Sequence, residues 1–291
     1  MMFDFAYHSL VFPGFVSAFI FGFLYLGVMR KVAARMQHRV GPPLWQPFLD
    51  FFKLLSKENI SPRNATGFLM TLCPVISFAS VLTVMVFVPV GSGAVSFEGN
   101  VFVVIYFLVM STAFLAIAGF ATGNPFGFIG SIREITQMVS YEFPFIVSLV
   151  TIGFLTNFEI IPVSAFAFPF ALFAFLMGVL GKLSLPPFHV PEAEQEIVAG
   201  PYTEYSGPRL AMFELARAAS FWTLISLGSV FFLGARTLAE FGVYSIILLF
   251  VLTIFRVVFA RLRISNVFRL YWFVIGPLAV IDLVRVMVGF Y

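Results

Sequence analysis

Long apolar runs separated by short polar segments dominate the chain. A membrane-spanning helix needs about 20 predominantly apolar residues, and eight segments come close to that length. These segments are residues 10–29, 69–90, 101–122, 135–155, 163–183, 210–233, 243–260 and 270–288. The pattern therefore predicts an all-α, polytopic membrane protein of about eight transmembrane helices, folded as a single membrane domain over residues 1–291.

One polar connection, residues 44–58, contains a further predicted helix. Its apolar residues recur at helical spacing and are Phe48, Phe51, Phe52 and Leu55. Asp50 and Lys53 lie off this stripe. Such a pattern is typical of an amphipathic helix lying in the membrane interface. A lipid-surface anchor and a direct chemical role both fit it.

Composition agrees with a membrane protein and excludes several other classes. The chain is 60% hydrophobic and 11% charged, whereas soluble domains carry about 25% charged residues. The net charge of +3 comes from basic residues clustered at the ends of spans, so we expect the lipid bilayer as a partner and no nucleic acid. One cysteine and three histidines supply no ligand set for a zinc or iron–sulfur site. We therefore expect no metal and no cofactor.

The basic residues also predict an orientation. With eight spans, they fall in connections on one side: residues 30–63, Arg133, residues 182–209 and residues 261–269. The opposite connections carry Arg236. Because cytoplasmic loops are enriched in Lys and Arg, we expect the basic side in the cytoplasm of a plasma-membrane protein and both termini outside. This assignment treats Lys182 as a loop residue.

Residues 184–209, here called the acidic loop, concentrate negative charge between two apolar spans. Four of the chain's 14 acidic residues lie there: Glu192, Glu194, Glu196 and Glu204. Its prolines exclude one long helix, but a short helix placing Glu192 and Glu196 on one face is possible. A solvated loop has little reason to be as apolar as this one. We therefore expect an ordered loop, buried against a partner or at the membrane edge.

Ionisable residues also occur inside the predicted spans. Glu134 and Glu142 lie two helical turns apart on one face, with Glu142 expected to be deeper. Glu214 precedes Arg217 by three residues, and Asp282 and Arg285 share that spacing. Local salt bridges explain such couples, but no basic residue lies within one turn of Glu142. Charges at membrane depth normally face a bundle interior or a wet cavity.

Together these residues suggest an ion-conducting path. Carboxylates that enter from one membrane face can pass protons if water connects them. The candidate ion-coupling residues are Glu134, Glu142, Glu214, Arg217, Glu192, Glu194, Glu196 and Glu204.

Five motifs, in order along nearly the whole chain, resemble one family. They read RMQHRVGP, LWQPFLDFFKLLSKE, QMVSYE, PPFHVPEAEQEIVAGPYTEYSG and RLRISNVFRLYWFVIGPLA. This is the family of the complex I membrane protein that borders the quinone cavity, known as the H subunit or subunit 1. Its relatives serve membrane-bound nickel–iron hydrogenases and formate hydrogenlyases. The chain departs from complex I where GPP runs almost directly into WQP, and in the sequences EQE at 194–196 and GPR at 207–209. These departures resemble the hydrogenase branch.

The resemblance implies a membrane-anchor subunit that is not itself catalytic. It would dock a peripheral arm of iron–sulfur and nickel–iron-type subunits, lie beside antiporter-like subunits, and link ferredoxin-dependent electron transfer to proton or sodium translocation. The expected docking residues are Arg35, Arg39, Phe188, His189, Tyr202 and Tyr205. A quinone-site subunit of complex I and the same anchor in a sulfur-reducing relative are the alternatives.

Two further classes fit the residues less well. A free-standing secondary transporter would need inverted repeats with paired broken helices, and no convincing internal repeat is present. A purely structural anchor leaves Glu142 and Glu214 unexplained, although ion pairing would account for Glu214.

Overall fold

The computed structural model describes residues 14–90 and 97–289, which are helical apart from their connections. The helices are α1 Phe15–Met36, α2 Gln46–Leu55, α3 Gly67–Phe87, α4 Asn100–Ala121, α5 Pro125–Leu155, α6 Pro169–Lys182, α7 Glu194–Ile197, α8 Gly207–Leu227, α9 Leu238–Val258, α10 Ile264–Leu270 and α11 Gly276–Val288. A π-helical turn, Gly228–Phe232, extends α8, and a second, Tyr271–Ile275, joins α10 to α11.

The all-α membrane fold is confirmed, with a difference in the fifth predicted span. In the described part of the chain, seven helical stretches are long and apolar enough to cross a membrane. The span predicted at 163–183 divides into a 3₁₀ turn, Ala165–Ala167, and α6, which is 14 residues long, or about 21 Å. Pro169 starts this helix, and Phe168 before it has a non-helical backbone, as a residue before proline prefers. The first predicted span includes residues 10–13, which lie outside the described residues.

Connections between helices meet at two ends of the bundle. At the end called here the loop end, the Ile60 amide donates to Ser206 Oγ (2.9 Å), and the Leu262 amide donates to Pro187 O (3.0 Å). At the opposite end, the Ile160 amide donates to Asn100 Oδ1 (2.9 Å). Successive spans therefore run in alternate directions, and α6 crosses between the two ends despite its length.

Helix α8 lies at the centre of the bundle. Within its most apolar window 89% of the residues are buried, against 33–50% in the other spans. Small residues allow close packing, because a Cβ at Gly22 of α1 would lie 2.4 Å from the Ala218 carbonyl oxygen. Trp222 then stacks on Phe21 of α1 with ring centroids 4.9 Å apart. The residues that α8 carries inward are therefore held in the protein interior.

The acidic loop packs on helices of its own chain. Gly130 of α5 makes this possible, since a Cβ there would lie 2.7 Å from the Gly200 backbone. The Tyr205 hydroxyl donates to the Ala118 carbonyl of α4 (3.1 Å). These contacts bury part of the loop against α4 and α5. The possible helix with Glu192 and Glu196 on one face is wrong, because α7 begins only at Glu194.

Helix α2 matches the predicted amphipathic helix, although its apolar stripe divides. Phe51 packs on Phe19 and Phe23 of α1, with ring centroids 5.5 and 5.4 Å away. Phe52 and Leu55 are exposed instead. The helix therefore has one apolar face against α1 and a second that faces outward.

Asp282 and Arg285 have a structural role at the end of the bundle opposite the acidic loop. Asp282 Oδ2 accepts the backbone N–H groups of Phe170 (2.8 Å) and Ala171 (2.9 Å) at the start of α6. Its other oxygen pairs with Arg285 at 2.9 Å. A carboxylate is favourable at a helix N-terminus, so this predicted pair also caps α6.

Candidate functional site

Glu134 is the centre of a buried charged cluster. Helix α5 begins at Pro125, where the Asn124 side chain caps the Phe126 amide (2.8 Å), so Glu134 lies well inside the helix. Its side chain is 1% exposed, and Oε2 has no hydrogen-bond partner among the described residues. The charged residues near enough to interact with it electrostatically are Glu142, Lys182, Glu192 and Arg217.

Lys182 supplies a buried positive charge that the sequence analysis assigned to a loop. It ends α6 and is 8% exposed. Its Nζ donates to the Leu108 carbonyl (2.6 Å) and to Thr112 Oγ1 (3.3 Å) of α4. Counting it as a cytoplasmic loop charge was therefore wrong. The signal was available, because the predicted span 163–183 already contained Lys182.

Two side chains fix the end of α6 that carries Lys182. Gln137 Nε2 donates to the Gly181 carbonyl, and the Tyr271 hydroxyl donates to the Met177 carbonyl, both at 2.7 Å. The last four carbonyls of a helix lack partners within the helix, and Gly181 is among the last four residues of α6. Gln137 therefore helps to satisfy the end of the helix, Tyr271 holds the turn before it, and both bonds position Lys182.

Glu142 has its opposite charge on another helix, not on its own. It interacts electrostatically with Lys182, as expected for a carboxylate paired across helices. Glu142 is only half-buried, whereas Glu134 is almost fully buried. Glu134 is buried because α5 begins ten residues before the predicted span and carries Glu134 inward.

A second charged group lies where the acidic loop meets α8. Arg217 Nη2 donates to Glu192 Oε1 at 2.5 Å, while its Nη1 lies 3.8 Å from Glu214 Oε1. The guanidinium also lies over the Tyr202 ring, 5.4 Å from its centroid. Arg217 is therefore shared between two carboxylates, and the closer one comes from the loop.

A polar cavity of about 50 Å³ joins the two groups. Lys182 lines it together with Glu192 and Arg217. Hydroxyl groups of α3 and α4 complete the polar lining: Ser77, Ser111 and Thr112. A cavity needs roughly 10–15 Å³ to hold a water molecule, so this one has room for water between the loop and the interior of the bundle.

Three predicted ion-coupling residues are not brought into this cluster. Glu196 is exposed and pairs with Arg133 (2.5 Å) and Arg261 (2.6 Å). The hydrogen bond from Arg133 is the main cause that lowers the Glu196 pKa below its usual value. Glu204 accepts a hydrogen bond from Asn124, the residue that caps α5. The side chain of Glu194 lies outside the described part of the chain.

The predicted docking residues divide between surface and interior. Arg35 and Arg39 are exposed, and His189 is half-buried with Nδ1 2.8 Å from the Ser184 carbonyl. Phe188 is fully buried against Tyr271, with ring centroids 4.8 Å apart. Tyr205 is 4% exposed. Phe188 and Tyr205 therefore pack inside this chain and offer no docking surface, because their apolar rings fill the space beneath the loop.

Tyr202, the remaining predicted docking residue, is neither exposed nor fully buried. It is half-buried under Arg217, and burial raises the pKa of its hydroxyl above the usual range. The hydroxyl therefore stays protonated. In the described ranges, no group of three or more His, Cys, Asp or Glu side chains is arranged to hold a metal ion.

Residues 9–287 match the model of the NADH dehydrogenase family. The chain belongs to this family. It is 32% identical over 295 residues to the H subunit of NADH-quinone oxidoreductase from Geobacillus sp. (strain WCH70), a match covering 91% of this chain and 88% of that protein. The corresponding protein of Bacillus cytotoxicus is equally similar, with the same shares covered. Within the family, this chain is a multi-pass membrane protein of the H-subunit type.

One chain of a solved membrane complex has the same fold as this protein. A chain of the membrane-bound sulfane sulfur reductase, described as an archaeal respiratory membrane complex, superimposes with a TM-score of 0.84. The match covers 98% of both chains at 22% sequence identity. At that identity, the likeness concerns the fold.

Proposed function

We propose that this chain is the membrane-anchor and coupling subunit of a hydrogenase-type respiratory oxidoreductase. It docks a peripheral arm with iron–sulfur and nickel–iron-type subunits and lies beside antiporter-like subunits. The energy of ferredoxin-dependent electron transfer reaches its buried charges and drives proton or sodium translocation. We place the loop end in the cytoplasm, with Arg35 and Arg39 there, and both termini outside.

One observation carries the coupling role: the cluster holds more carboxylates than cations. Glu134 and Glu142 both interact electrostatically with Lys182, and Glu192 and Glu214 both lie within 3.8 Å of Arg217. Four carboxylates thus surround two cations. An unpaired buried carboxylate is costly, so an excess of carboxylates here favours water or a further cation nearby. Carboxylates that water connects are what an ion-coupling path requires.

Docking is supported by the outer surface of the acidic loop. Val198 is 55% exposed and has a left-handed backbone (φ 60°), which is a strained conformation for a β-branched residue. Glu196 beside it is held by two arginines. Strain of this kind persists where surrounding structure enforces it and clusters at functional segments. We place the contact with the peripheral arm here, on the exposed side of α7.

A quinone-site role is the second candidate, because a specific cavity favours it. About 180 Å³ lies between α1, the acidic loop and α8, and is lined in part by Leu26, His189 and Phe221. The bacterial relatives are named as NADH-quinone oxidoreductase components. Sites for small molecules usually measure about 300–1,000 Å³. A quinone headgroup would therefore require this cavity to widen, which favours the hydrogenase-type role.

Purification of the assembled complex tests the proposed function. The chain is affinity-tagged, extracted in mild detergent, and a photo-cross-linker is placed at Val198. We expect co-purifying soluble subunits with iron and nickel, a cross-link to one of them, and ferredoxin-dependent hydrogen evolution. Quinone reduction by the same preparation would instead support the second candidate, and reduction of sulfur compounds would support the sulfur-reducing relative. Isolation without any redox subunit would contradict both roles.

A further inference from the structure

A groove lined by arginines lies at the loop end, between the last turns of α1 and α9. It encloses about 420 Å³. Arg30, Arg39 and Arg256 line it, together with Gln37. The other lining residues are small or apolar: Ala33, Ala34, Gly41, Pro42 and Val257. We call this site the arginine groove; no carboxylate is among its lining residues.

The positive charge of the groove is incompletely balanced. Arg30 is paired with Asp50 of α2 at 3.3 Å. Arg256 is half-buried, yet its side chain has no hydrogen bond or ion pair to any described residue. It interacts instead with the like charges of Arg30 and Arg217. Placing cations together without an anion is unfavourable, so the groove is complementary to a negative ligand.

General membrane electrostatics explain only part of this arrangement. Basic residues at cytoplasmic helix ends follow from the orientation rule and favour the helix C-terminus. Those rules account for Arg35, which projects into open surroundings. They do not account for Arg256, which is half-buried beside another arginine.

We propose that the arginine groove binds a phosphate-bearing anion, with the phosphodiester headgroup of an anionic phospholipid as its principal source. Guanidinium groups donate two parallel hydrogen bonds to phosphate oxygens. Arg256 lies in the last turn of α9, and Arg30 lies in α1 near its loop end, ahead of Arg35 in the last turn. Ala33, Ala34 and Val257 offer an apolar floor for the glycerol and first acyl carbons. A quinone ring carries no charge, so it would leave the positive charge of the three arginines uncompensated.

The test uses the full chain in lipid nanodiscs. One series replaces phosphatidylcholine stepwise by phosphatidylglycerol; the other keeps pure phosphatidylcholine and adds inorganic phosphate. Bound lipid is counted by native mass spectrometry, and the thermal unfolding midpoint is followed. The variants are Arg256→Gln and the surface variant Arg39→Gln, which has little reason to misfold. Arg63→Gln, an exposed arginine away from the groove, is the matched control.

The proposal expects retained phosphatidylglycerol whose apparent affinity falls about tenfold in Arg256→Gln, the loss of one charge-assisted hydrogen bond. Arg39→Gln should weaken binding in the same direction, and Arg63→Gln should leave it unchanged. Stabilisation by inorganic phosphate that also depends on Arg256 and Arg39 would support the site and identify a soluble phosphate as its source. Equal weakening in all three variants would overturn the proposal, because binding would then be general surface attraction. So would the absence of any dependence on Arg256 and Arg39.

Discussion

At the scale of single residues, Lys182 is the side chain on which the buried charges depend. A lysine at this depth would be strongly disfavoured alone. Two hydrogen bonds to α4 and the nearby charges of Glu134 and Glu142 compensate for its burial. Lys182 also lines the cavity that reaches Glu192 and Arg217. It therefore links the carboxylates of α5 to those at the loop.

Replacing Lys182 by methionine keeps the length of the side chain and removes its charge. Glu134 and Glu142 would then lose the cation with which both interact, and charge on these interior carboxylates would be more costly. We expect Lys182→Met to assemble, to keep at least half of its electron transfer, and to lose about tenfold in ion uptake by vesicles. The control is Lys53→Met on the exposed side of α2. Unchanged ion uptake in Lys182→Met would show that this lysine is only structural.

At the scale of elements, the packing of the acidic loop on α4 and α5 determines where the loop's side chains lie. Glycines at the contact allow backbone to meet backbone. A Cβ at Gly130 would meet Gly200 and Pro201 at 2.7 Å, and a Cβ at Gly119 would meet the Pro201 backbone at 3.0 Å. This close approach holds the loop in the position that directs Glu192 toward Arg217.

Gly130→Ala tests this seating. The added methyl group overlaps rigid backbone, and overpacking of this kind costs about 1–3 kcal/mol. We expect a lower unfolding midpoint in detergent and easier proteolysis within residues 184–209. Gly242→Ala in α9 is the matched control, because nothing lies within 4 Å of the added Cβ, and it should change stability by less than about 0.5 kcal/mol. Equal effects of the two variants would contradict the close seating.

The sequence predicted the elements well because membrane helices leave a strong one-dimensional pattern of apolar length. Charges within spans were recognisable for the same reason, as with Glu142 and Glu214. The sequence pattern did not predict the directions in which the side chains of the acidic loop point. Glu192 and Glu196 lie four residues apart in the same loop, yet one meets Arg217 inside and the other meets Arg133 and Arg261 outside. Only tertiary packing separates them.

At the scale of the whole molecule, one continuous arrangement joins the loop surface to the bundle interior. The exposed side of α7 offers a contact for a peripheral arm, and Glu192 lies just before that helix. Arg217 of the central helix α8 donates a hydrogen bond to Glu192. The cavity then leads to Lys182, which interacts electrostatically with Glu134 and Glu142. A movement of the loop caused by the arm would therefore alter the charge balance inside the membrane domain.

The central claim is that these buried charges couple electron transfer to ion movement, and Glu134→Gln tests it most directly. The change keeps the shape of the side chain and removes its ability to titrate. Electron transfer by the assembled complex is measured in detergent, and ions taken up per electron are measured in sealed vesicles. The exposed carboxylate variant Glu98→Gln is the control. The account predicts near-normal electron transfer and a fall of about fivefold or more in ions per electron for Glu134→Gln, because the side chain can no longer bind and release a proton. An unchanged ratio would contradict it.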